Sequence, residues 1–227
     1  MNHRQNITRI KAVHNALAEL ADQVIFIGGA AVSLYSDRPS ADTRPTDDVD
    51  ILVELINYND YAAFEVKLRE KGFINDIESG VICRYIINGI IVDVMPTYKE
   101  ILGFANKWYP EAFANAVEKL IDEEYIIHIF SPAYFIAAKL EAYKDRGGND
   151  GRTSTDFEDI VFVLNYRNAI WRELMDAPEI VKLFLKDEFK TLLNDKYIDE
   201  WISCHLEHAE QRRVNLIIGG LTNFVRS

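Results

Sequence analysis

Two aspartates stand at the entrance of an apolar run, in the stretch RPTDDVDILVEL at residues 44–55. Like charges held this close repel one another, and burying them is costly unless a positive charge lies among them. Asp48 and Asp50 are two positions apart, just ahead of a strand predicted over 51–55, so their side chains point to the same side. Asp93 lies in a later predicted strand that could pair nearby.

Three carboxylates converging on one edge of a sheet form a hard, oxygen-rich site suited to Mg²⁺, or to Mn²⁺. A divalent cation would supply the positive charge that lets Asp48, Asp50 and Asp93 coexist. Mg²⁺ keeps few protein ligands and fills its shell with water and phosphate oxygens. The three residues therefore indicate phosphoryl or nucleotidyl transfer, in which two ions about 4 Å apart activate a hydroxyl and stabilise the leaving pyrophosphate.

A glycine pair follows the strand predicted over 24–27. Gly28 and Gly29 precede small residues that open a helix, where backbone N–H groups can approach a phosphate closely. The pair matches neither a Walker loop nor a dinucleotide-binding fingerprint, and an ordinary turn is the alternative. Arg44, just ahead of the acidic stretch, would either hold phosphate or pair with Asp47.

A β-hairpin is predicted around Asn88-Gly89, because two β-rich runs flank this dipeptide. A two-residue turn pairs Ile87 with Ile90 and, counting back, Arg84 with Asp93. A cross-strand ion pair is thus a structural alternative to the metal-ligand role of Asp93.

Helical patterns are predicted on both sides of these strands and in the rest of the chain. Helices are predicted over 5–21 and 60–71, then from a proline-containing start at Ser131-Pro132 to about residue 145, and again over 156–166. Only helical periodicity follows. We therefore expect an α+β fold with a mixed-sheet domain over residues 1–128 and a helical domain over 129–227.

Together these features resemble the polymerase-β-like nucleotidyltransferase superfamily. Its signature is a glycine followed by glycine or serine and, after a gap, Asp-x-Asp between apolar residues, which is similar to Gly28-Gly29 and the TDDVDI stretch at 46–51. RPTDDVDI, SPAYFIAAKLEAYKDR and STDFEDIVFVL are further similar to the AbiEii/AbiGii family of bacterial toxin nucleotidyltransferases. The resemblance covers roughly residues 24–165.

This resemblance implies a nucleotidyltransferase core followed by a C-terminal helical bundle that contributes to the active-site cleft. It implies three catalytic carboxylates that bind metal, which are Asp48, Asp50 and Asp93. The implied nucleotide-binding residues are Gly28, Gly29, Arg44, Thr46 and Lys139. The implied catalytic residues of the helical half are Lys139 and Asp156, with Asp159 as the alternative to Asp156. From the sequence alone, Lys139 reads as an exposed helix lysine and Asp156 as an acid favoured by the helix dipole.

The implied reaction moves a nucleoside monophosphate from an NTP to a hydroxyl acceptor. The acceptor would be an RNA, a tRNA 3′ end, and the protein would be a toxin neutralised by an antitoxin protein. The net charge of −11 favours another acceptor, a small cation of the aminoglycoside type, because negative surfaces attract cations and repel RNA. A non-catalytic nucleotide-binding or interaction protein on the same fold is the third hypothesis.

The composition is that of an ordinary folded protein, with 227 residues, 48% of them apolar and 27% charged. No apolar run reaches membrane-spanning length, and the N-terminal stretch lacks a signal-peptide pattern. Cys83 and Cys204 lie far apart in the chain, as is common in a reducing compartment. We therefore expect a cytoplasmic protein without a membrane partner.

Overall fold

The computed structural model describes residues 2–38, 43–146 and 150–227, and the chain divides into two compact units. The first unit comprises Met1–Leu34 and Asp42–Ser131, and the second comprises Tyr35–Ala41 and Pro132–Ser227. The first unit contains the strands described below, and the second is helical.

A mixed sheet forms the first unit. Its strands are β1 (Val24–Ile27), β2 (Asp48–Val53), β3 (Ile74–Asn75), β4 (Arg84–Ile87), β5 (Ile90–Pro96), β6 (Val117–Ile121) and β7 (Tyr125–Ile129). The helices of this unit are α1 (Asn2–Leu17), α2 (Gly28–Ala31), α3 (Tyr58–Glu70), α4 (Lys99–Leu102) and α5 (Tyr109–Ala114), with a 3₁₀ turn at Ala18–Gln23. A further 3₁₀ turn, Val32–Tyr35, begins in this unit and ends at the first residue of the second.

The strand order is β3-β4-β5-β2-β1-β7-β6. Strand β2 runs parallel to β5, and β1 runs parallel to β7, whereas the other neighbouring pairs are antiparallel. Every residue of β1 is buried, as its unbroken apolar sequence VIFI suggests. Helix α1 contacts β2 and β5 and buries Ile10, Val13 and Leu17.

The predicted hairpin is confirmed. Ile87 pairs with Ile90, and Arg84 pairs with Asp93. Asn88 and Gly89 both have positive φ, 50° and 76°, which is the backbone that a tight two-residue turn between right-twisted strands requires. The turn therefore sets which residue of β4 stands opposite Asp93.

The second unit consists of helices. They are α6 (Pro132–Arg146), α7 (Thr155–Tyr166), α8 (Ile170–Met175), α9 (Glu179–Leu193), α10 (Ile198–Cys204) and α11 (Val214–Arg226), with a 3₁₀ turn at His208–Arg213. Helix α6 contacts α7, α8 and α9, and it is buried nearly all round from Pro132 to Leu140. Within the described ranges, no helix combines the length and apolar character needed to cross a bilayer.

The predicted α+β fold, a mixed sheet followed by helices, is confirmed, but two details of the strands differ. Strand β2 begins at Asp48 and not at residue 51, so Asp48 and Asp50 are strand residues. The sequence prediction also lacked β3, β6 and β7. Strand β6 lies at the edge of the sheet and carries Glu118 and Lys119; charges are common on edge strands and obscure the apolar alternation.

Candidate metal and nucleotide site

The register of the sheet brings the predicted carboxylates together. Asp50 of β2 stands opposite Asp93 of the parallel strand β5, and Asp93 stands opposite Arg84 of β4. Residues opposite one another in neighbouring strands point to the same face. Asp48 precedes Asp50 by two positions and therefore shares that face. Asp50, Asp93 and Arg84 thus lie side by side across three neighbouring strands, and Asp48 lies next to them on the same face.

The three carboxylates are close enough to share a cation. One carboxylate oxygen from each of Asp48, Asp50 and Asp93 lies within 4.8 Å of the other two. The side chains are only partly buried, with 34% of Asp48 and 13% of Asp93 exposed. Solvent can therefore reach the cluster, which allows a hydrated ion to enter.

Arg84 of β4 pairs directly with one carboxylate of this cluster and lies near a second. Its Nε donates to Oδ1 of Asp93 at 2.8 Å and its Nη2 donates to Oδ2 at 2.7 Å. The same Nη2 lies 3.7 Å from Oδ2 of Asp48. The hydrogen bonds to Asp93 raise the pKa of Arg84 further above its ordinary value. The predicted ion pair with Asp93 is therefore present, and it extends toward a second carboxylate.

The loop ahead of β2 orients Asp48. The Thr46 hydroxyl donates to Oδ1 of Asp48 at 2.7 Å, and the Arg9 guanidinium of α1 donates to the Thr46 carbonyl. Thr46 is 7% exposed. The structure thus shows Thr46, a predicted nucleotide-binding residue, as a neighbour that fixes the rotamer of Asp48.

The glycine pair lies directly against the cluster. Gly28 has φ +69°, a conformation that L side chains rarely adopt, and a Cβ at this position would overlap the Asp50 carboxylate. A Cβ at Gly29 would lie 2.6 Å from Nη2 of Arg44. The two glycines therefore leave room for the Asp50 carboxylate and for the Arg44 guanidinium. This places four predicted site residues beside one another.

The donor set of this site fits a hard divalent cation. Carboxylate oxygens are the ligands that Mg²⁺ and Mn²⁺ prefer. Cys83, the neighbour of Arg84, does not add a soft ligand, because burial and then the Asp93 charge raise the pKa of its thiol to about 11. The thiol is therefore protonated at neutral pH, and oxygen chemistry dominates the site.

Lys139 and Asp156 form a second cluster, in the helical unit. Lys139 is 7% exposed, and its Nζ lies 3.0 Å from Oδ1 of Asp156 and 2.7 Å from Oδ2 of Asp159. The expectation of an exposed lysine is wrong, because α6 is surrounded by other helices at this level. Burial lowers the pKa of Lys139, but the Asp159 and Asp156 charges outweigh it, so the pKa lies above its ordinary value.

Arg146 completes this second cluster and was missed in the sequence. Its Nε and Nη2 donate to the two oxygens of Asp156 at 2.8 and 3.0 Å. Burial opposes the charged form of Asp156, yet Arg146 and Lys139 together hold its pKa below the ordinary value. Arg146 follows Lys139 by seven positions, or two helical turns, and this spacing on one helix face was the available signal. Asp156 and Asp159 both pair with Lys139, so the geometry does not choose between the two alternatives.

The predicted site residues thus form two groups, one in each unit. The metal-ligating carboxylates, the glycine pair, Arg44 and Thr46 belong to the first unit. Lys139 and Asp156 belong to the second, and their part in nucleotide transfer stays a prediction.

Comparisons with known proteins include a distant structural likeness. No protein-family model matches the sequence, and no curated protein matches it. Among solved structures, the chain is similar to the solution structure of the antibiotic-resistance factor ANT(2″)-Ia, with 15% identity and a TM-score of 0.49. The match covers 85% of this chain and 96% of that chain. A likeness this distant indicates neither an activity nor a substrate for this chain.

The overlap at position 28 leads to a prediction for Gly28→Ala. The added Cβ has to displace the Asp50 carboxylate, so Mn²⁺ binding, measured by the electron paramagnetic resonance of the free ion, is expected to weaken at least about tenfold. The matched control is Gly89→Ala, which has a similar positive φ but no atom within 4 Å of the added Cβ. This control is expected to lose about 1–2 kcal/mol of stability and to bind Mn²⁺ like wild type. Equal Mn²⁺ affinity in the two variants would contradict the geometry.

The buried cluster predicts a stability effect for Lys139→Met. Removal of this ammonium leaves two buried carboxylates without one of their partners, which costs about 3–5 kcal/mol when such a pair is broken. Lys144→Met on the same helix is the control, because Lys144 is 43% exposed and its pairs with Glu188 and Glu141 lie near solvent. That control is expected to lose at most about 1 kcal/mol. Urea denaturation of both variants, followed by far-ultraviolet circular dichroism, measures the difference, and equal midpoints would show that Lys139 is not a buried partner.

Proposed function

We propose that this chain is a metal-dependent nucleotidyltransferase that moves a nucleoside monophosphate from an NTP to a hydroxyl acceptor. The observation that carries the proposal is the convergence of Asp48, Asp50 and Asp93, whose carboxylate oxygens lie within 4.8 Å of one another. A purely structural ion pair needs one acid for each base. Here three acids from two strands surround one partly exposed position, as expected for a cation site.

Each residue of the site has a defined task under this proposal. Asp48 and Asp50 hold Mg²⁺ or Mn²⁺, and Asp93 completes the ligand set and helps to deprotonate the acceptor hydroxyl. Bound there, the metal would neutralise charge on the triphosphate and on the leaving pyrophosphate. Gly28 and Gly29 leave room for the Asp50 carboxylate and the Arg44 guanidinium, and a guanidinium is suited to phosphate oxygens. Thr46 holds Asp48 in its rotamer.

The roles of the helical unit come from the sequence resemblance. Lys139 is proposed to bind the triphosphate, and Asp156 is proposed to orient Lys139 or the acceptor. Both residues are buried and paired with each other, so Lys139 has to exchange a carboxylate for a phosphate oxygen in order to act. An ammonium that keeps its charge, as the raised pKa of Lys139 requires, is suited to such an exchange.

The acceptor is proposed to be RNA, the 3′ end of a tRNA, in a toxin that an antitoxin protein neutralises. Similarity of the TDDVDI, SPAYFIAAKLEAYKDR and STDFEDIVFVL stretches to the AbiEii/AbiGii toxins supports this acceptor. A small cationic acceptor of the aminoglycoside type is the second candidate, and one observation favours it. The chain has a net charge of −11, which attracts a cation and opposes RNA.

The test is transfer of label from each of the four NTPs, labelled at the α-phosphate, in the presence of magnesium. Total tRNA and a set of aminoglycosides are offered as separate acceptors. Wild type is expected to label tRNA, and Asp50→Asn is expected to lower transfer by about a hundredfold or more, the scale of losing a preorganised charge-stabilising group. Asp47→Asn is the matched control, since Asp47 is an exposed acid three positions away, and it is expected to retain transfer.

The outcomes separate the candidates. Label on aminoglycosides and none on tRNA would replace the first acceptor with the second. Transfer by Asp50→Asn at the wild-type rate would remove the triad from the reaction. Nucleotide binding without label on any acceptor, under all four NTPs, would favour a non-catalytic nucleotide-binding protein.

A further inference from the structure

Arg84 occupies an unusual place for an ordinary cross-strand partner. Its guanidinium forms a bidentate pair with Asp93, at 2.8 and 2.7 Å, and the same Nη2 lies 3.7 Å from Asp48. The hairpin register fixes Arg84 opposite Asp93, and the parallel register fixes Asp93 opposite Asp50. The guanidinium is therefore held at the edge of the three-carboxylate cluster by the sheet itself.

This position puts Arg84 in competition with a cation. Both Asp93 oxygens already accept a hydrogen bond from Arg84, so a cation that binds Asp93 shares these oxygens with the guanidinium. The two positive groups would then stand within a few ångströms of one another. Repulsion between a divalent ion and a unit charge about 5 Å apart corresponds to a tenfold or larger change in affinity even at the dielectric constant of water.

We propose that Arg84 is a built-in counter-ion of the carboxylate cluster. Without a metal it neutralises Asp93 and Asp48 and keeps the cluster assembled; when a divalent cation binds, the guanidinium gives up its approach to Asp48. Arg84 is thus a positioning residue that sets the metal affinity below what three carboxylates alone would give. This inference rests on the proposed metal site.

The same arrangement makes metal binding depend on a charged co-ligand. A cation that arrives with triphosphate oxygens brings negative charge for the displaced guanidinium to contact. Free Mn²⁺ brings none. Arg84 therefore favours binding of the metal–nucleotide complex over binding of the bare metal.

The experiment measures Mn²⁺ affinity and melting temperature, without turnover, for four proteins: wild type, Arg84→Met, Arg84→Lys and Arg69→Met. Mn²⁺ binding is followed by the electron paramagnetic resonance of the free ion. Arg84→Met is expected to bind Mn²⁺ about tenfold or more tightly, and to melt at a lower temperature without metal because the carboxylates then repel. Arg84→Lys keeps the positive charge but cannot form the bidentate pair with Asp93, so it is expected to tighten Mn²⁺ binding less.

Arg69→Met is the matched control, because Arg69 also lies in the first unit and pairs with a carboxylate, Glu65, at 3.5 Å. It is expected to bind Mn²⁺ like wild type. Unchanged or weaker Mn²⁺ binding in Arg84→Met would overturn the inference and leave the metal site standing. If Arg84→Met fails to fold, Arg84→Lys decides, since tighter binding than wild type supports the inference and equal or weaker binding overturns it.

Failure of the underlying site looks different. Wild type and all three variants would then bind no Mn²⁺, or would bind it with an affinity that Asp50→Asn leaves unchanged. That result would remove both the metal site and the competition at Arg84.

Discussion

Repulsion among three carboxylates on one face of the sheet is the constraint on which the site depends. The pairing of β2 with β5 forces Asp50 beside Asp93, and the two-residue period of a strand adds Asp48 to the same face. Left alone, such a cluster would oppose the strand pairing that creates it. Arg84, placed by a tight turn, supplies a compensating charge. Arg84 alone does not balance three carboxylates, so the cluster suits further positive charge, such as that of a divalent cation.

The helical unit also holds carboxylates close together, but there they are buried. Asp156 and Asp159 are nearly inaccessible to solvent, at 2% exposure each, so water cannot screen them. Lys139 pairs with both of them, and Arg146 donates two hydrogen bonds to Asp156. Because the Asp156 pKa is lowered in the folded protein, its contribution to stability is present above the unfolded pKa of about 3.9 and is lost as pH falls through the folded value. The carboxylates of the two units therefore differ in accessibility, since those of the sheet are partly exposed and those of the helices are buried.

Local signals in the sequence were sufficient for part of this structure. Asn88-Gly89 permits only a few turns, so the register that sets Arg84 opposite Asp93 follows from the dipeptide. The side shared by Asp48 and Asp50 follows from strand periodicity. The parallel pairing of β2 with β5 does not follow, because it joins strands separated by α3, β3 and β4 and depends on long-range packing. The burial of Lys139 was missed for a similar reason: α6 is buried on every side from Pro132 to Leu140, which depends on the packing of other helices against it. Predicting that Arg84 approaches Asp48 would have required both the register of the β4–β5 hairpin and that of the β2–β5 pair.

The central claim is that the three carboxylates hold a divalent cation that displaces Arg84 from Asp48. A crystal structure of the protein with Mn²⁺ and a non-hydrolysable NTP analogue, with anomalous scattering recorded for manganese, tests it most directly. The account predicts an anomalous peak coordinated by Asp48 and Asp50, with the guanidinium of Arg84 farther from Asp48 than the 3.7 Å found here. Manganese bound elsewhere on the triphosphate, with Arg84 still against both carboxylates, would contradict it.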